Sequence, residues 1–488
     1  MKRIPFPLQS TAEKYGDHPA LIGDDRAITY AEFFRLVNAT AGNLAQMGIE
    51  REDRLGIVAN NSIEYILLLM AVFQISAVAC PISPRFPRKT IAAMLDKIDC
   101  TKIVADLHHN SDLYNGTVIE LSSLLSQQKM SANTIGPPEI ELDQDAAIMF
   151  TSGSSSVPKA VLHTFAHHYY SALGANQNMP LGPGDRWLLS LPLYHVGGMG
   201  ILFRALLSGA AVVVPAANAL PAKAIERHKV THVSLVPTQL KNLLEETVAD
   251  KTATCLRSFL LGGSSIPQKL IIQAKQKGLN LYTTYGLTEM ASQVTTTALD
   301  DAPEKLFTSG RILTHREIKI SKESEILVRG KTRFKGYVEK DALITPFDAD
   351  GWFGTADLGD IDQDGYLTVT GRKDNMFISG GENIQPEEIE GVLARLPAIE
   401  DVMVVPVKSD KYGHRPIAFV KLRQKQQIAM EEIIPFLEKH LPRFKIPDRL
   451  YEWPDSIDQS GLKPNRRDFA DLAASLSKDP GTEDPALV

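Results

Sequence analysis

The residues from Met149 to Thr164, MFTSGSSSVPKAVLHT, put Thr151, Ser152, Gly153, Ser154, Ser155 and Ser156 in a row, with Lys159 close behind. Backbone N–H groups, hydroxyls and one cation suit the oxygens of a phosphate. A Ser/Gly-rich run is equally the composition of a flexible linker. The run is not a Walker A loop, which needs G-x-x-x-x-G-K-[ST]; here Lys159 follows Pro158 and precedes Ala160. Four more polar segments follow in order: YGLTE (Tyr285–Glu289), GWFGTADLGD (Gly351–Asp360), GRKDNMFISGGENIQPEEIE (Gly371–Glu390) and SGLKPNRR (Ser460–Arg467). Singly, each has an ordinary reading. Glu289 suits a helix N-terminus, Asp357 suits a turn, and Lys463 is a solvated lysine beside Pro464.

These segments need a frame to hold them. RLGIVA, AAVVVPA, THVSLVP and SFLLGG read as strands, and SIEYILLLMAVFQ, LPAKAIERHKV, TQLKNLLEETVAD and QKLIIQAKQKG read as helices between and after them. That alternation predicts an α/β fold with a parallel, doubly wound sheet and helices on its faces. Ligands of such sheets sit beyond the carboxyl ends of the strands, where TSGSSS, GGSS and YGLTE fall. After about Gly310 the pattern becomes short strands with polar turns (EIKI, SEILVRG, GYLTVTG), which predicts a small β-barrel-like part. PEEIEGVLARL, DVMVVPV, PIAFVKL and MEEIIPFLEKHL predict a compact α+β unit at the C-terminal end. The expected organisation is a large domain over 1–371, a small mobile domain over 372–470, and a disordered tail over 471–488, where polar, Pro/Gly-bearing residues gather.

The chain has 488 residues, too many for one ordinary domain, and is 44% hydrophobic and 23% charged, as soluble globular proteins are. Its formal charge of −6 gives no reason to expect nucleic acid or an anionic membrane as partner. Cys80, Cys100 and Cys255 are few, odd in number and far apart, which fits a reducing cytosol better than a disulfide framework or a zinc site. The N-terminal residues carry no apolar stretch of the secretory kind. Tyr65–Ile82 approaches membrane-spanning length, but Gln74 and Ser76 interrupt it, so a buried helix running into a buried strand is expected. Composition leaves the oligomeric state open, a homo-oligomer included.

Taken together and in this order, the five segments resemble those of adenylate-forming enzymes of the acyl-CoA synthetase superfamily, over almost the whole chain. The resemblance implies ATP, Mg²⁺ and coenzyme A as reactants or cofactors, and a small-molecule carboxylic acid as the other substrate. It implies that Thr151, Ser152, Gly153, Ser154 and Ser155 hold the β- and γ-phosphates, with Lys159 neutralising them. Glu289, with Thr151, would hold Mg²⁺, an ion that prefers carboxylate and phosphate oxygen. Thr288 would bond the α-phosphate. Gly262, Gly263, Ser264, Tyr285 and Gly286 would border the adenine, Asp357 would accept the ribose hydroxyls, and Arg372 would add a donor there. Lys463 would bridge ATP and the acid in the first step. Ser379, Gly380, Gly381 and Glu382 would line the pantetheine path, and the small domain would turn about Asp374. Two positions depart from the superfamily: Ser156 and Ala160 stand where glycine is usual, and a Cβ at Ser156 limits positive φ.

The acid itself is read from LSLPLYHVGGMGILFR (Leu189–Arg204). No acidic residue follows Tyr194, which argues against an amino-acid substrate by resemblance to amino-acid-activating relatives. His195 falls where aryl-CoA ligases set a gate against the acyl group. Arg204 is a charge in an apolar run, costly unless paired; its partner is expected to be a second substrate carboxylate or a protein Asp or Glu. SLPLYHVGG, SLVPTQL, LLGGSSIP, YGLTEMAS, FGTADLGD and GGENIQPEEIE resemble the branch of the superfamily that activates o-succinylbenzoate in menaquinone biosynthesis. On that resemblance Ser292, Gln293 and Thr295 border the benzoate. Other aryl- or fatty-acyl-CoA ligases, and adenylation proteins that load a carrier-protein phosphopantetheine, share the first half-reaction and remain alternatives.

Overall fold

The structure, a computed structural model, describes residues 2–106, 117–126, 139–151, 157–216, 219–245, 255–340, 342–409, 411–423, 430–455, 457 and 465–476. Among these, an eight-stranded sheet and a nine-stranded sheet form the bulk of the molecule. In the first, Asp145–Thr151, Val78–Ile82, Arg54–Val58, Lys102–Ala105 and Thr117–Glu120 run parallel in that spatial order. In the second, the parallel core is Leu281–Leu287, Ser258–Leu261, His232–Leu235, Arg186–Leu188, Ala211–Val213 and Pro19–Ile22. The expected βα alternation is therefore present. Antiparallel strands extend both sheets at their edges, so the sheets are mixed rather than purely parallel.

The long apolar run resolves as expected. Helix Ile63–Gln74 starts at Ser62, whose hydroxyl accepts from the Tyr65 N–H at 3.0 Å. Every residue of it except Glu64 is buried, and the chain then enters the fully buried strand Val78–Ile82. A helix packed on all sides can be apolar all round. Among the described residues no helix is long and apolar enough to cross a membrane.

The barrel-like part is a four-stranded antiparallel sheet of Arg316–Ile320, Glu325–Gly330, Phe353–Ile361 and Leu367–Arg372. A bridge from Arg311 to Tyr366 ties it to the edge of the nine-stranded sheet. Beyond it, Phe377–Ser379, Glu382–Ile384, Ile399–Ser409, Gly413–Leu422 and Leu450–Glu452 form a five-stranded sheet. Both faces of this sheet are covered. Val404, Ala418, Ile389 and Ile433 pack on one side, and Val405, Phe419, Phe469 and Ala473 on the other. Successive strand residues pointing to opposite faces explain why DVMVVPV is continuously apolar. Among the described residues, no cluster of buried apolar side chains joins this unit to the rest of the chain.

One boundary needs correction. Helix Arg466–Leu476 runs through residues expected in the tail from 471 on. Phe469 and Ala473, four apart on one helix face, are fully buried against the sheet, and that burial carries the helix past the polar composition around it. The remainder of the expected tail, 477–488, lies outside the described residues.

Candidate active site

The phosphate-type loop joins two antiparallel strands, Asp145–Thr151 and Lys159–Thr164, rather than a strand and a helix. Register makes Thr151 and Lys159 direct neighbours across this hairpin. Ser152, Gly153, Ser154, Ser155 and Ser156 lie outside the described residues. Ala160, one of the departures, is buried in the strand between Phe150 and Val338. Its backbone is extended there, so a Cβ is accommodated.

Lys159 leads to a residue that the motifs did not suggest. Its ammonium lies 5.1 Å from the centre of the Tyr337 ring. Tyr337 is the strand partner of Val161, and its hydroxyl donates to Glu289 Oε1 at 2.8 Å. Burial, reinforced by the Glu289 charge, holds the Tyr337 phenol far above its ordinary value, so it stays a donor. Glu289 sits in the short 3-10 turn Thr288–Met290, fixed by the Phe334 N–H donating to its carbonyl at 2.8 Å. Lys159, Tyr337 and Glu289 thus stand in a row of cation, phenol and carboxylate. The phenol occupies one oxygen of Glu289, and a carboxylate offers about four lone-pair sites. Among the described residues no group of three His, Cys, Asp or Glu side chains could cage a metal. Glu289 and the Thr151 hydroxyl therefore fit only an ion that takes most of its ligands from phosphate and water, as Mg²⁺ does.

The second cluster surrounds Asp357. Tyr285 donates its hydroxyl to Asp357 Oδ2 at 2.6 Å, and Arg372 donates Nη1 to Oδ1 at 2.9 Å. Arg372 faces Asp357 across paired strands, and its Nη2 reaches Asp374 Oδ2 at 2.9 Å. Burial first, then the Asp357 charge, pushes the Tyr285 phenol well above its usual range. Ala356, just before the carboxylate, has a left-handed φ of 59° inside the strand Phe353–Ile361, where its register with Glu325–Gly330 shifts. Tyr285 lies two residues before the end of strand Leu281–Leu287, so this cluster lies near a strand's carboxyl end. Gly286 follows it, and a Cβ there would come within 2.3 Å of the Ser292 carbonyl oxygen. Gly262, Gly263 and Ser264 form the loop after Ser258–Leu261, with Gly262 buried and Gly263 and Ser264 exposed. Thr288 is half-buried beside Glu289.

The proposed acid-binding residues lie along helix Val196–Ser208 and strand Ser292–Thr296. His195 caps the helix, exposed, with its ring edge-on to Tyr194 at 4.9 Å between centroids. Arg204 lies nine residues on, about 13 Å deeper at 1.5 Å per residue. It is 3% exposed. Its Nε donates to Asn176 Oδ1 at 3.0 Å and Nη1 to Gln293 Oε1 at 2.9 Å, and the guanidinium stacks 4.2 Å over Trp187. Arg316, also buried, donates Nε to the Gln293 carbonyl at 2.6 Å and Nη2 to Ser171 Oγ at 3.0 Å. Burial, then the like charge of Arg316, pushes Arg204 down to about 9; burial alone does the same to Arg316. The expected protein Asp or Glu is not found: among the described residues neither guanidinium pairs with a carboxylate.

Gly200, one turn before Arg204 on the same helix face, would place a Cβ 3.4 Å from Ser292 Oγ, so Ser292 borders this face. Ser292 has an unusual φ of 109°. Gln293 joins the two arginines. Thr295 is brought near but turned away, its hydroxyl donating to the Ser309 carbonyl at 2.7 Å. Tyr337, Arg316, Asn176 and Trp187 were not found from sequence, because each is one polar or aromatic residue in an ordinary periodic pattern.

In the C-terminal unit, Gly380 and Gly381 are the two central residues of a tight hairpin, with φ of 59° and 89° and Ser379 paired to Glu382. Ser379 is buried and accepts from Arg415 Nη1 at 3.3 Å, while Glu382 is exposed. Asp374 is exposed between the two units and paired to Arg372. Lys463 lies outside the described residues.

The chain is similar to known proteins. Residues 8–338 match the family "AMP-binding enzyme", and residues 388–461 match "AMP-binding enzyme C-terminal domain". The 2-succinylbenzoate–CoA ligase of Salmonella typhimurium is 35% identical over 95% of this chain and 96% of its own. The o-succinylbenzoate CoA synthetase of Bacillus subtilis with the acyl-adenylate OSB-AMP superposes with a TM-score of 0.88 at 29% identity, covering 96% of this chain and 98% of that one. The same protein with ATP and magnesium ion gives 0.85 at 30% identity over 93% and 96%. A double mutant of it with the product analogue OSB-NCoA gives 0.73 at 29% identity over 96% and 99%. The chain belongs to the AMP-binding enzyme family and, within it, to the group of the 2-succinylbenzoate–CoA ligases.

Proposed function

We propose that this chain joins 2-succinylbenzoate to CoA in two steps at the site built around Glu289, Asp357 and Arg204. In the first, an oxygen of the substrate's succinyl carboxylate attacks the α-phosphorus of ATP and pyrophosphate leaves. In the second, the CoA thiolate attacks the acyl carbon and AMP leaves. A bare carboxylate is a poor electrophile because attack would expel oxide; AMP is a far better leaving group. Both steps gather negative charge and need donors already in place.

In this reading Lys159 and the loop over 151–155 hold the triphosphate tail, and Thr288 holds the α-phosphate. Glu289 and Thr151 hold Mg²⁺, which neutralises phosphate charge when bound. Tyr337 keeps Glu289 aimed and, as a neutral phenol, adds no competing charge. Asp357 accepts the ribose hydroxyls on the lone pairs that Tyr285 and Arg372 leave. Residues 1–371 carry these groups except Arg372. Residues 372–470 carry Lys463 for the first step and the Gly380–Gly381 hairpin for the second, turning about Asp374. The enzyme works in the cytoplasm, where ATP and CoA are at hand.

The observation that carries the choice of acid is the Arg204–Gln293–Arg316 cluster. Two buried cations whose partners, among the described residues, are amides, a hydroxyl, carbonyls and one indole ring are expensive. The ring carboxylate of 2-succinylbenzoate, entering past His195 and Gly200, supplies the missing anion. The test is thioester formation followed by mass spectrometry with ATP, Mg²⁺, CoA and 2-succinylbenzoate, benzoate, 4-hydroxycinnamate, a medium-chain fatty acid or amino acids. Thioester from 2-succinylbenzoate alone is expected. A thioester from a monocarboxylate but not from 2-succinylbenzoate would overturn the reading. Pyrophosphate release without thioester would make a carrier protein the acceptor.

A further inference from the structure

Among the described residues no shared apolar cluster joins the C-terminal unit to the large one, and charged side chains meet across the boundary. Lys241, in helix Pro237–Glu245, donates to Glu400 Oε1 at 2.7 Å. Glu400 opens the strand Ile399–Ser409, and the same oxygen takes Lys421 of the neighbouring strand at 3.3 Å. The side chains of Lys241 and Glu400 are 26% and 24% exposed, so solvent screens the pair only in part. Burial works against the Glu400 charge, yet the two ammoniums hold its carboxyl below the usual range. The helix bearing Lys241 begins at Pro237, and Val236 before it would lie 3.2 Å from a Cβ at Gly263, in the adenine loop. The contact therefore joins the nucleotide side of the large unit to the small one.

A second pair of charges sits across the same boundary with the opposite effect. Lys269, in helix Gln268–Gln276, is lowered by burial and by the charge of Arg423, which follows the strand Gly413–Leu422. Arg423 Nε is buried with no hydrogen-bond partner among the described residues. The Bacillus subtilis relative supplies a further observation. At the same identity and the same 96% cover of this chain, its acyl-adenylate complex superposes at 0.88 and its product-analogue complex at 0.73. Over the whole chain this structure superposes better on the acyl-adenylate complex than on the product-analogue complex.

We propose that Lys241 and Glu400 are positioning residues for the first half-reaction: their ion pair holds the C-terminal unit in the adenylate-forming arrangement and opens before the thioester is made. This rests on the two-step reading above. The test uses the full chain with Lys241→Met, Glu400→Gln, the double variant, and Lys269→Gln. Step one is followed by ATP–pyrophosphate exchange, and step two by single-turnover transfer from preformed acyl-adenylate to CoA. A part-exposed pair predicts that each single variant slows step one about two- to fivefold. Step two should be unchanged or faster, the double variant no worse than either single, and Lys269→Gln should shift the ratio of the two rates the other way. Equal slowing of both steps with a lowered melting temperature marks a purely structural pair and overturns the proposal, as does no change in either step.

A second readout does not depend on turnover. Lys241→Cys/Glu400→Cys, in a Cys255→Ser background, is treated with a short bis-maleimide and weighed by intact mass. A cross-linked product supports the arrangement, and none overturns the proposal. If the cross-link forms while the wild-type chain does not turn over 2-succinylbenzoate, it is the choice of acid that fails.

Discussion

Replacing Arg204 by Met keeps much of the volume and removes the charge. The guanidinium makes two charge-assisted bonds, to Asn176 and Gln293, at 3.0 and 2.9 Å. Removing it leaves the buried Gln293 oxygen short of a donor, about 1–3 kcal/mol in stability, and the half-buried Asn176 oxygen at a lower cost. The relief of two like charges offsets part of this, because Arg204 and Arg316 both press on Gln293. The catalytic loss is separate. Truncating one partner of a buried hydrogen-bonded charge pair costs about 2–5 kcal/mol. Arg316 remains to hold part of an incoming carboxylate, so the lower half of that range applies: about 2–3 kcal/mol, or roughly 30- to 150-fold in kcat/KM. The assay compares 2-succinylbenzoate with 4-oxo-4-phenylbutanoate, which has the same reacting chain and no ring carboxylate. Wild type should prefer the dicarboxylate strongly. Arg204→Met should lose that factor on 2-succinylbenzoate alone, so that the two substrates converge. An equal loss on both substrates, with the variant still folded by its melting curve, would refute the view that Arg204 reads a second carboxylate.

Other outcomes follow from the same geometry. Tyr285→Phe removes a 2.6 Å bond to Asp357 and should raise the KM for ATP about fivefold, for about 1 kcal/mol, with kcat little changed. Asp357→Ala should cost far more in AMP binding by calorimetry, because it removes the carboxylate itself and one of the two partners of Arg372. Tyr337→Phe frees Glu289 Oε1, and should raise the Mg²⁺ concentration needed for half-maximal adenylation with no effect on CoA. Acid should destabilise the fold through His163, His167 and His168, which pack ring against ring. Burial holds His167 down at about 3, His168 at about 4 and His163 well below its usual value. In the unfolded chain they titrate near 6.5, so their stabilising effect is complete above about pH 6.5 and is lost as pH falls towards 4, at about 1.4 kcal/mol per unit for each. Urea melts at pH 7.5 and 5.5 should show it, and a His168→Phe variant with an undiminished pH slope would count against it.

Much of this was legible beforehand, for physical reasons that differ by residue. The βα alternation was readable because buried parallel strands are continuously apolar. Tyr285, Asp357 and Arg372 were readable because their segments carry the chemistry in short fixed runs, and the fold brings the three within hydrogen-bond distance. Arg204 stood out as a charge in an apolar run, and Gln293 was marked by the resemblance, but its other partners did not stand out. Asn176 and Trp187 come from two other elements, and nothing local marks them. Tyr337 shows the same limit, since an aromatic in a strand is usually core. The helix through 471–476 was missed because Phe469 and Ala473 are too few to show a period against polar neighbours.

The two-sided core of the C-terminal sheet has one more consequence. Because its apolar side chains are packed on both faces within the unit, the proposed turn from one docking position to another would uncover little buried hydrocarbon. Such a move carries little heat-capacity change, since that quantity tracks apolar area. The balance between the two arrangements should then shift only slightly with temperature and markedly with ionic strength, which makes salt, rather than heat, the natural handle on this enzyme's cycle.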